Sequence, residues 1–420
     1  MPKPLIIPIG AFSEGMDSLH AEDDPIFDAI AGPNGYSSPK RCVAAVNVDL
    51  DDRGRPELRD GTTQRVAATS GLSAFCGLGM AVFQDQGTIK RVTDTATWTT
   101  ADVVTGLNAS AEVIFHEYEN WILWTNGLES GKIDSTGAYQ PWSLTRPAAP
   151  TLGETSGTLP AGRYRVSVLY VDANGVEHAA SESAVITLAS PAAITVDVPA
   201  PDSEAALIRV FASKTNGTDL FFVGSAVPGV FPVTVSDVAV SDEPLRTRGF
   251  SPVVPGDGIF SFGGMVITFH GRYLQPSFGP AIHLFELHRT EEERPGVIQA
   301  GGGLEFGFWL VCERGAYFTK GDVPGAWVTS SRKDARQYAK GCLVLDADLV
   351  GGVDALGDVA LFVSDAGLMC GTSDGRMLAL TDDKHQLDVV GKTADIVYRQ
   401  HSGIYPPQRT TPPQILFTLR

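Results

Sequence analysis

The chain has 420 residues, 43% of them apolar, and a formal net charge of −17. So much apolar material supports a packed core and excludes wholesale disorder. With no cluster of Lys and Arg to neutralise phosphates, it also excludes a protein that grips nucleic acid electrostatically, and an anionic surface repels DNA and anionic membranes.

Forty-five glycines and 27 prolines without a collagen-like period predict many short strands joined by tight turns. The five cysteines (Cys42, Cys76, Cys312, Cys342 and Cys370) are scattered, odd in number and lack any CxxC spacing. Neither a zinc knuckle nor a redox pair is signalled, and reduced, mostly buried thiols fit folding in a cytoplasm. The opening MPKPLIIPIGAFSEG is too proline-broken for a signal peptide, and no apolar run approaches the length of a membrane span. The expectation is a protein made without export and without membrane insertion.

Residues 1–40 are expected to be an extended arm, with a short helix around Asp24–Ile30. Val43–Leu50 and Pro56–Asp60 flank an Asp-rich turn and predict a hairpin. Leu72–Leu78 and Gly79–Phe83 are apolar enough for buried strands, and Thr88–Val92 closes the next hairpin. Glu112–Glu117 and Trp121–Thr125 pair across Glu119-Asn120. From Thr145 to about Asp237 the texture changes. Tyr164, Val166, Val168 and Tyr170 alternate along one strand and Ile194, Val196 and Val198 along another, while Asp172-Ala173-Asn174-Gly175 and Thr215-Asn216-Gly217 turn the chain. About seven short strands without a cysteine predict a fibronectin III or immunoglobulin-like β-sandwich, fibronectin-like for want of the inter-sheet disulfide. The first texture returns with strands at Ile259–Phe262, Met265–Phe269 and Ala281–Phe285. A hairpin over Phe306–Phe318 follows, then Leu343–Leu345, Val359–Val363 and Ile396–Tyr398. The one clear helix candidate is Arg332–Tyr338, short and exposed.

Turn glycines at Gly87, Gly127, Gly315 and Gly367 end hairpins of one design, where they are expected to supply the positive φ. Their spacings, 40 between the first two and 52 between the last two, match the period of propeller blades. The predicted fold is therefore all-β: a β-propeller of about five to seven blades interrupted by the inserted sandwich. Its divisions are an N-terminal arm (1–40), propeller (41–148), sandwich (149–245), propeller (246–400) and C-terminal tail (401–420).

Chemical motifs are fragmentary. His283 and His288 of HLFELH stand five apart, on opposite faces of a strand, and only Glu286 and His288 share a face, which argues against a metal site. Asp172-Ala173-Asn174-Gly175 is half a calcium loop and reads as a hairpin turn. Gly301-Gly302-Gly303 lacks the Lys-Ser/Thr of a phosphate loop and reads as a flexible blade connection. Asp51-Asp52, Asp382-Asp383 and Glu291-Glu292-Glu293 are paired carboxylates of the glycosidase kind, but adjacent loop carboxylates are usually solvated. Gly371-Thr372-Ser373-Asp374-Gly375 matches Gly-x-Ser-x-Gly, yet a strand rather than a helix is expected after it. The six tryptophans (Trp98, Trp121, Trp124, Trp142, Trp309 and Trp327) sit in or beside strands and read as core. No catalytic, cofactor-binding or metal-ligating residue is assigned, and neither enzyme activity nor a cofactor is expected.

Several stretches resemble one family in order and spacing: Ala44–Gly61, Gly71–Val92, Tyr118–Gly131, Arg163–Ser183, Ala206–Val223, Phe269–Leu274, Gly315–Pro324 and Asp365–Leu378. Together they resemble the tail-nozzle, or packaged-DNA stabilisation, proteins of short-tailed bacteriophages. The resemblance implies a structural virion protein of the phage tail, assembled in the host cytoplasm into a homo-oligomeric ring, often hexameric. Such a ring extends the DNA channel below the portal and adaptor, retains the genome and anchors tail fibres or spikes. Genomic DNA would pass through its lumen without specific binding. The alternatives are a receptor- or carbohydrate-binding tail protein and a propeller glycoside hydrolase.

Overall fold

The computed structural model describes residues 66, 68–69, 71–198, 202–229, 233–236, 242–286, 292–294, 296–321, 323–330, 333–350, 353–381, 387–399 and 414–419, with four short strands before them. Among these residues the fold is all-β, many small antiparallel sheets with one 3-10 turn at Ala347–Leu349. No helix among them is long and apolar enough to cross a membrane. The chain divides into two compact units, Ala68–Glu293 and Arg294–Arg420 with Met1–Ala67.

The recurring element is a four-stranded up-and-down meander, and five are present among the described residues. The first runs Gly71–Gly77, Met80–Asp85, Thr88–Asp94, Thr99–Val104, and the second Ile114–Tyr118, Trp121–Thr125, Ser130–Asp134, Tyr139–Gln140. The third runs Gly258–Phe262, Met265–His270, Tyr273–Phe278, Ala281–Glu286, with Phe250–Ser251 added at its outer edge. All three lie in the Ala68–Glu293 unit. The fourth is Ile298–Leu304, Gly307–Cys312, Gly315–Lys320, Val328–Thr329, and the fifth is Leu343–Asp346, Asp358–Ser364, Gly367–Thr372, Met377–Ala379. Ala394–Arg399 pairs with Gln414–Leu419, and Val48–Leu50 pairs with Pro56–Leu58, while the expected Asp-rich turn lies outside the described residues.

Sequence alternation explains how the meanders stack. A strand buried on both faces presents a continuous apolar run whose alternate residues belong to different cores. In Trp121–Thr125, Ile122 and Trp124 pack with Val82, Ile89 and Phe115 of the first two meanders. Leu123 and Trp121 pack the other way, with Ile259, Val266 and Phe285 of the third. In Asp358–Ser364, Ala360 and Phe362 join Trp309, Val311 and Phe318 of the fourth meander, while Val359, Leu361 and Val363 face Val389 and Ala394. The first strands of the three meanders in the Ala68–Glu293 unit neighbour one another in order, and so do those of the fourth and fifth.

Between the second and third meanders the chain builds two sheets over one core. Thr151–Leu159, Ala192–Asp197 and Val233–Val235 form a three-stranded sheet; Ala184–Leu188, Gly162–Val171, Leu207–Ser213 and Leu220–Ala226 form a four-stranded one, each in that spatial order. Tyr164, Val166, Val168 and Tyr170 fill the space between them with Ile194, Val196, Ile208 and Val210. On the opposite face Arg163 is exposed and Arg165 half-buried, but further along Leu169 and Val171 pack with Ala180, Phe211 and Leu220, and Ser167 is buried with its hydroxyl donating to the Ser181 carbonyl. The strand whose alternation reads as one buried face is thus covered on both sides only from Val166 onward.

Several other expectations need correction. The segment 333–338 is not helical, because Lys333 N–H donates to the Ala316 carbonyl and Ala316 N–H to that of Asp334, which ties it to the fourth meander as an edge bridge, and Tyr338 is buried. The Asp24–Ile30 helix candidate lies outside the described residues apart from Ile30, which begins a short strand. Leu72–Leu78 was expected to be buried, whereas the strand Gly71–Gly77 is an exposed to half-buried edge, leaving Cys76 exposed. Cys312 and Cys370 are buried and Cys42 lies outside the described residues. In the first meander's second turn the positive φ belongs to Gln86 (54°) rather than Gly87. Gly87 is needed for another reason: a Cβ there would lie 2.3 Å from the Leu107 carbonyl oxygen.

Candidate functional site

The Gly-x-Ser-x-Gly match is a hairpin turn. Thr372 N–H donates to the Arg376 carbonyl at 2.9 Å, Gly375 N–H to that of Thr372 at 3.1 Å, and the strand Met377–Ala379 follows. Ser373 is buried, and its hydroxyl donates to the Leu356 carbonyl at 3.1 Å. Its hydroxyl proton is committed to the backbone, and no helix N-terminus follows to stabilise an oxyanion. The Thr372 hydroxyl and the Arg376 guanidinium hold the Asp374 carboxyl below the usual range.

Asp172 shapes its own turn. Its Oδ1 accepts from Asn174 N–H and Val176 N–H, both at 2.9 Å, and Gly175 takes a φ of 80°. Asp134 builds the same loop, its Oδ1 accepting from Thr136 N–H at 2.8 Å and Ala138 N–H at 2.9 Å, with Gly137 at a φ of 80°. These carboxylates reinforce the backbone turn bonds that Gly175 N–H and Gly137 N–H make to the Asp172 and Asp134 carbonyls.

Gly301-Gly302-Gly303 is no loose connection. It lies within the strand Ile298–Leu304, opposite Leu310, Trp309 and Phe308. A Cβ on Gly302 would sit 2.7 Å from Cys342 Sγ and 3.1 Å from Ala360 Cβ, so the bare backbone is what lets the fifth meander approach.

The remaining candidates do not converge. Asp51-Asp52, Asp382-Asp383, Glu291 and His288 lie outside the described residues. Glu292–Glu293 forms a short strand against Tyr273–Leu274, and Glu286 stands opposite Phe250. Among the described residues no group of three or more His, Cys, Asp or Glu could hold a metal ion. Trp124, Trp142 and Trp309 are fully buried; Trp98 instead occupies a turn with a φ of 57°.

One polar cluster does form, where the two-sheet region meets the second and third meanders. His178 is 2% exposed, its Nδ1 accepts the Leu144 N–H at 3.1 Å, and its Nε2 has no hydrogen-bond partner. Asp172 Oδ2 lies 3.7 Å from that Nε2. The His283 ring meets the His178 ring edge-on, 4.9 Å between centroids, and its Nε2 lies 3.0 Å from the Glu177 carbonyl oxygen. Lys132, also buried, places its ammonium 4.4 Å over the Trp121 ring. Burial pushes the pKa of all three bases down, with His178 lowered to about 4. Around them, Trp142 Nε1 donates to the Ile282 carbonyl at 2.9 Å, Arg146 Nε to that of Ala180 at 2.7 Å, and Ala180 N–H to that of Thr247 at 3.2 Å. Sequence reasoning weighed His283 only as a metal ligand, arguing against it, and passed over Lys132 and His178, because Glu177 and His283 meet across 106 residues of chain.

No protein-family model and no curated protein matches the chain. Among solved structures, PorZ, a surface component of the type-IX secretion system of Porphyromonas gingivalis, aligns over 75% of this chain at 9% identity with a TM-score of 0.16. The chain spans about half of that protein, 52% of its length. Hsv2 of Kluyveromyces lactis aligns over 73% of this chain and 92% of its own at 10% identity, with a TM-score of 0.18. Likeness this slight carries no argument about fold or function.

Proposed function

We propose that the chain is a β-propeller interrupted by a fibronectin-like sandwich, and that it serves as a ring-forming structural subunit of a phage tail nozzle. The observation that carries the reading is the order of elements. Two four-stranded meanders, then the two-sheet region, then three more meanders follow one another along the chain, in the order of the stretches that resemble the nozzle family. Four-stranded meanders with neighbouring first strands are the building unit of propeller blades. With the Ala394–Arg399 hairpin as a further partial blade, the count is about six, within the five to seven that the spacing predicts.

In this reading the ring, hexameric as in the family, sits below the portal and adaptor, extends the DNA channel and carries fibres or spikes. The net charge of −17 supports a lumen through which DNA slides rather than sticks. Ser373 and Asp172, tied into turns, support a structural rather than enzymatic role.

Electron microscopy of the purified protein mixed with portal–adaptor rings tests it, with rings capped by a stacked second ring as the expected result. A stable monomer or trimer that binds glycans or cells would favour the receptor-binding alternative, and release of reducing sugar from host polysaccharide would favour the hydrolase.

A further inference from the structure

The buried cluster under the two-sheet region contains a bond that acid can break directly. Because Leu144 N–H donates to Nδ1 of His178, that nitrogen carries a lone pair and the ring proton sits on Nε2, facing Asp172 at 3.7 Å. A second proton can enter only at Nδ1, which would turn the acceptor of the Leu144 amide into a donor pointed at a donor. The same event creates a charge in a buried site beside Lys132 and the His283 ring.

The charged groups facing His178 come from every element packed around it. Lys132, from the second meander, and His283, from the third, disfavour the imidazolium. Asp172 favours it but stands beyond hydrogen-bond distance. Asp202 also faces the cluster, with its Oδ2 engaged by the Thr145 amide and hydroxyl. Glu177 is paired with Arg209, and Glu182 with Arg146, so neither is free to compensate a new charge.

We propose that this junction is an acid-released latch: protonation of His178 at Nδ1 expels the Leu144 amide, loosens the 177–182 segment from the third meander, and frees the inserted two-sheet region to swing. The proposal does not depend on the phage-tail reading. A histidine held to a pKa of about 4 when the latch is closed, and returning to the ordinary value near 6.5 when it opens, makes opening about 20-fold easier at pH 5 than at neutral pH.

Hydrogen–deuterium exchange of the full chain, corrected for intrinsic rates, reads this directly. Between pH 7 and pH 5 the protection of the Leu144 and Ala180 amides is expected to fall by about 20-fold, while the Ile194 amide in the central strand of the three-stranded sheet and the Val82 amide in the first meander keep theirs. Unchanged protection at Leu144 and Ala180, or an equal fall at all four amides, would overturn the proposal. His178→Gln, which can still accept from Leu144 but does not titrate, is expected to abolish the fall. His283→Gln, which leaves the Leu144 acceptor untouched, is expected to shrink it. A fall of the wild-type size in both variants would also overturn the latch.

Discussion

Trp309 is the residue where the packing of the fourth and fifth meanders is most tightly specified. It is fully buried, and its Nε1 donates to the Thr372 carbonyl at 3.0 Å. The approach is possible because residue 371 is glycine: a Cβ there would sit 2.6 Å from Nε1. Gly371→Ala must therefore push the indole off its acceptor. Overpacking of this kind costs about 1–3 kcal/mol, to be read as a lower urea midpoint at unchanged slope; an unshifted midpoint would contradict this packing. His116 gives a second residue-scale prediction. It is half-buried in the second meander, its Nε2 is shut off from solvent with no hydrogen-bond partner, and this burial of the ring nitrogen lowers its pKa to about 4. The folded state keeps this ring neutral, so below the unfolded value near 6.5 the unfolded chain binds the extra proton. The stability the neutral ring contributes is thus intact above that pH and lost as pH falls towards about 4. His116→Leu should flatten the fall in stability between pH 7 and pH 5; an unaltered slope would count against a buried neutral His116.

At the scale of the strand, two-sided burial decides what costs most. Trp124 sits in the core between the first and second meanders, so Trp124→Ala should cost about 3–5 kcal/mol in a denaturant titration. Phe306, 62% exposed at a hairpin turn, should tolerate Ser within about 0.5 kcal/mol. Comparable losses from both would contradict the assignment of faces. The same two-sidedness explains which strands were legible. Runs such as Trp121–Thr125 and Gly307–Cys312 are continuously apolar because both faces are covered, and they stand out between turn residues. Ile298–Leu304 was hidden because its three glycines read as a loop, when they lie within the strand and Gly302 is the bare backbone against which Cys342 and Ala360 pack. Tyr273–Phe278 was hidden by Pro276, which lies where the strand exchanges one partner, Glu292–Glu293, for another, Ala281–Glu286. The histidine cluster was illegible for a different reason. Its members come from separate strands and turns, and only docking of the two-sheet region on the meanders brings them together.

At the scale of the whole molecule, five meanders and an intervening two-sheet region account for most of the described chain, and their stacked faces supply most of its core. In the proposed ring the function lies in shape and charge rather than in a reactive side chain. The acidic balance of the sequence then keeps DNA from adhering to the channel. Particles in which lumen-facing acids are neutralised should eject DNA more slowly, and unchanged ejection kinetics would remove charge from the account. The most direct test of the central claim is cryo-electron microscopy of the purified full-length chain. The account predicts closed, cyclically symmetric rings around an axial channel, each subunit a single closed propeller with the two-sheet domain projecting from it. A monodisperse monomer, or meanders that do not close into one propeller, would contradict it.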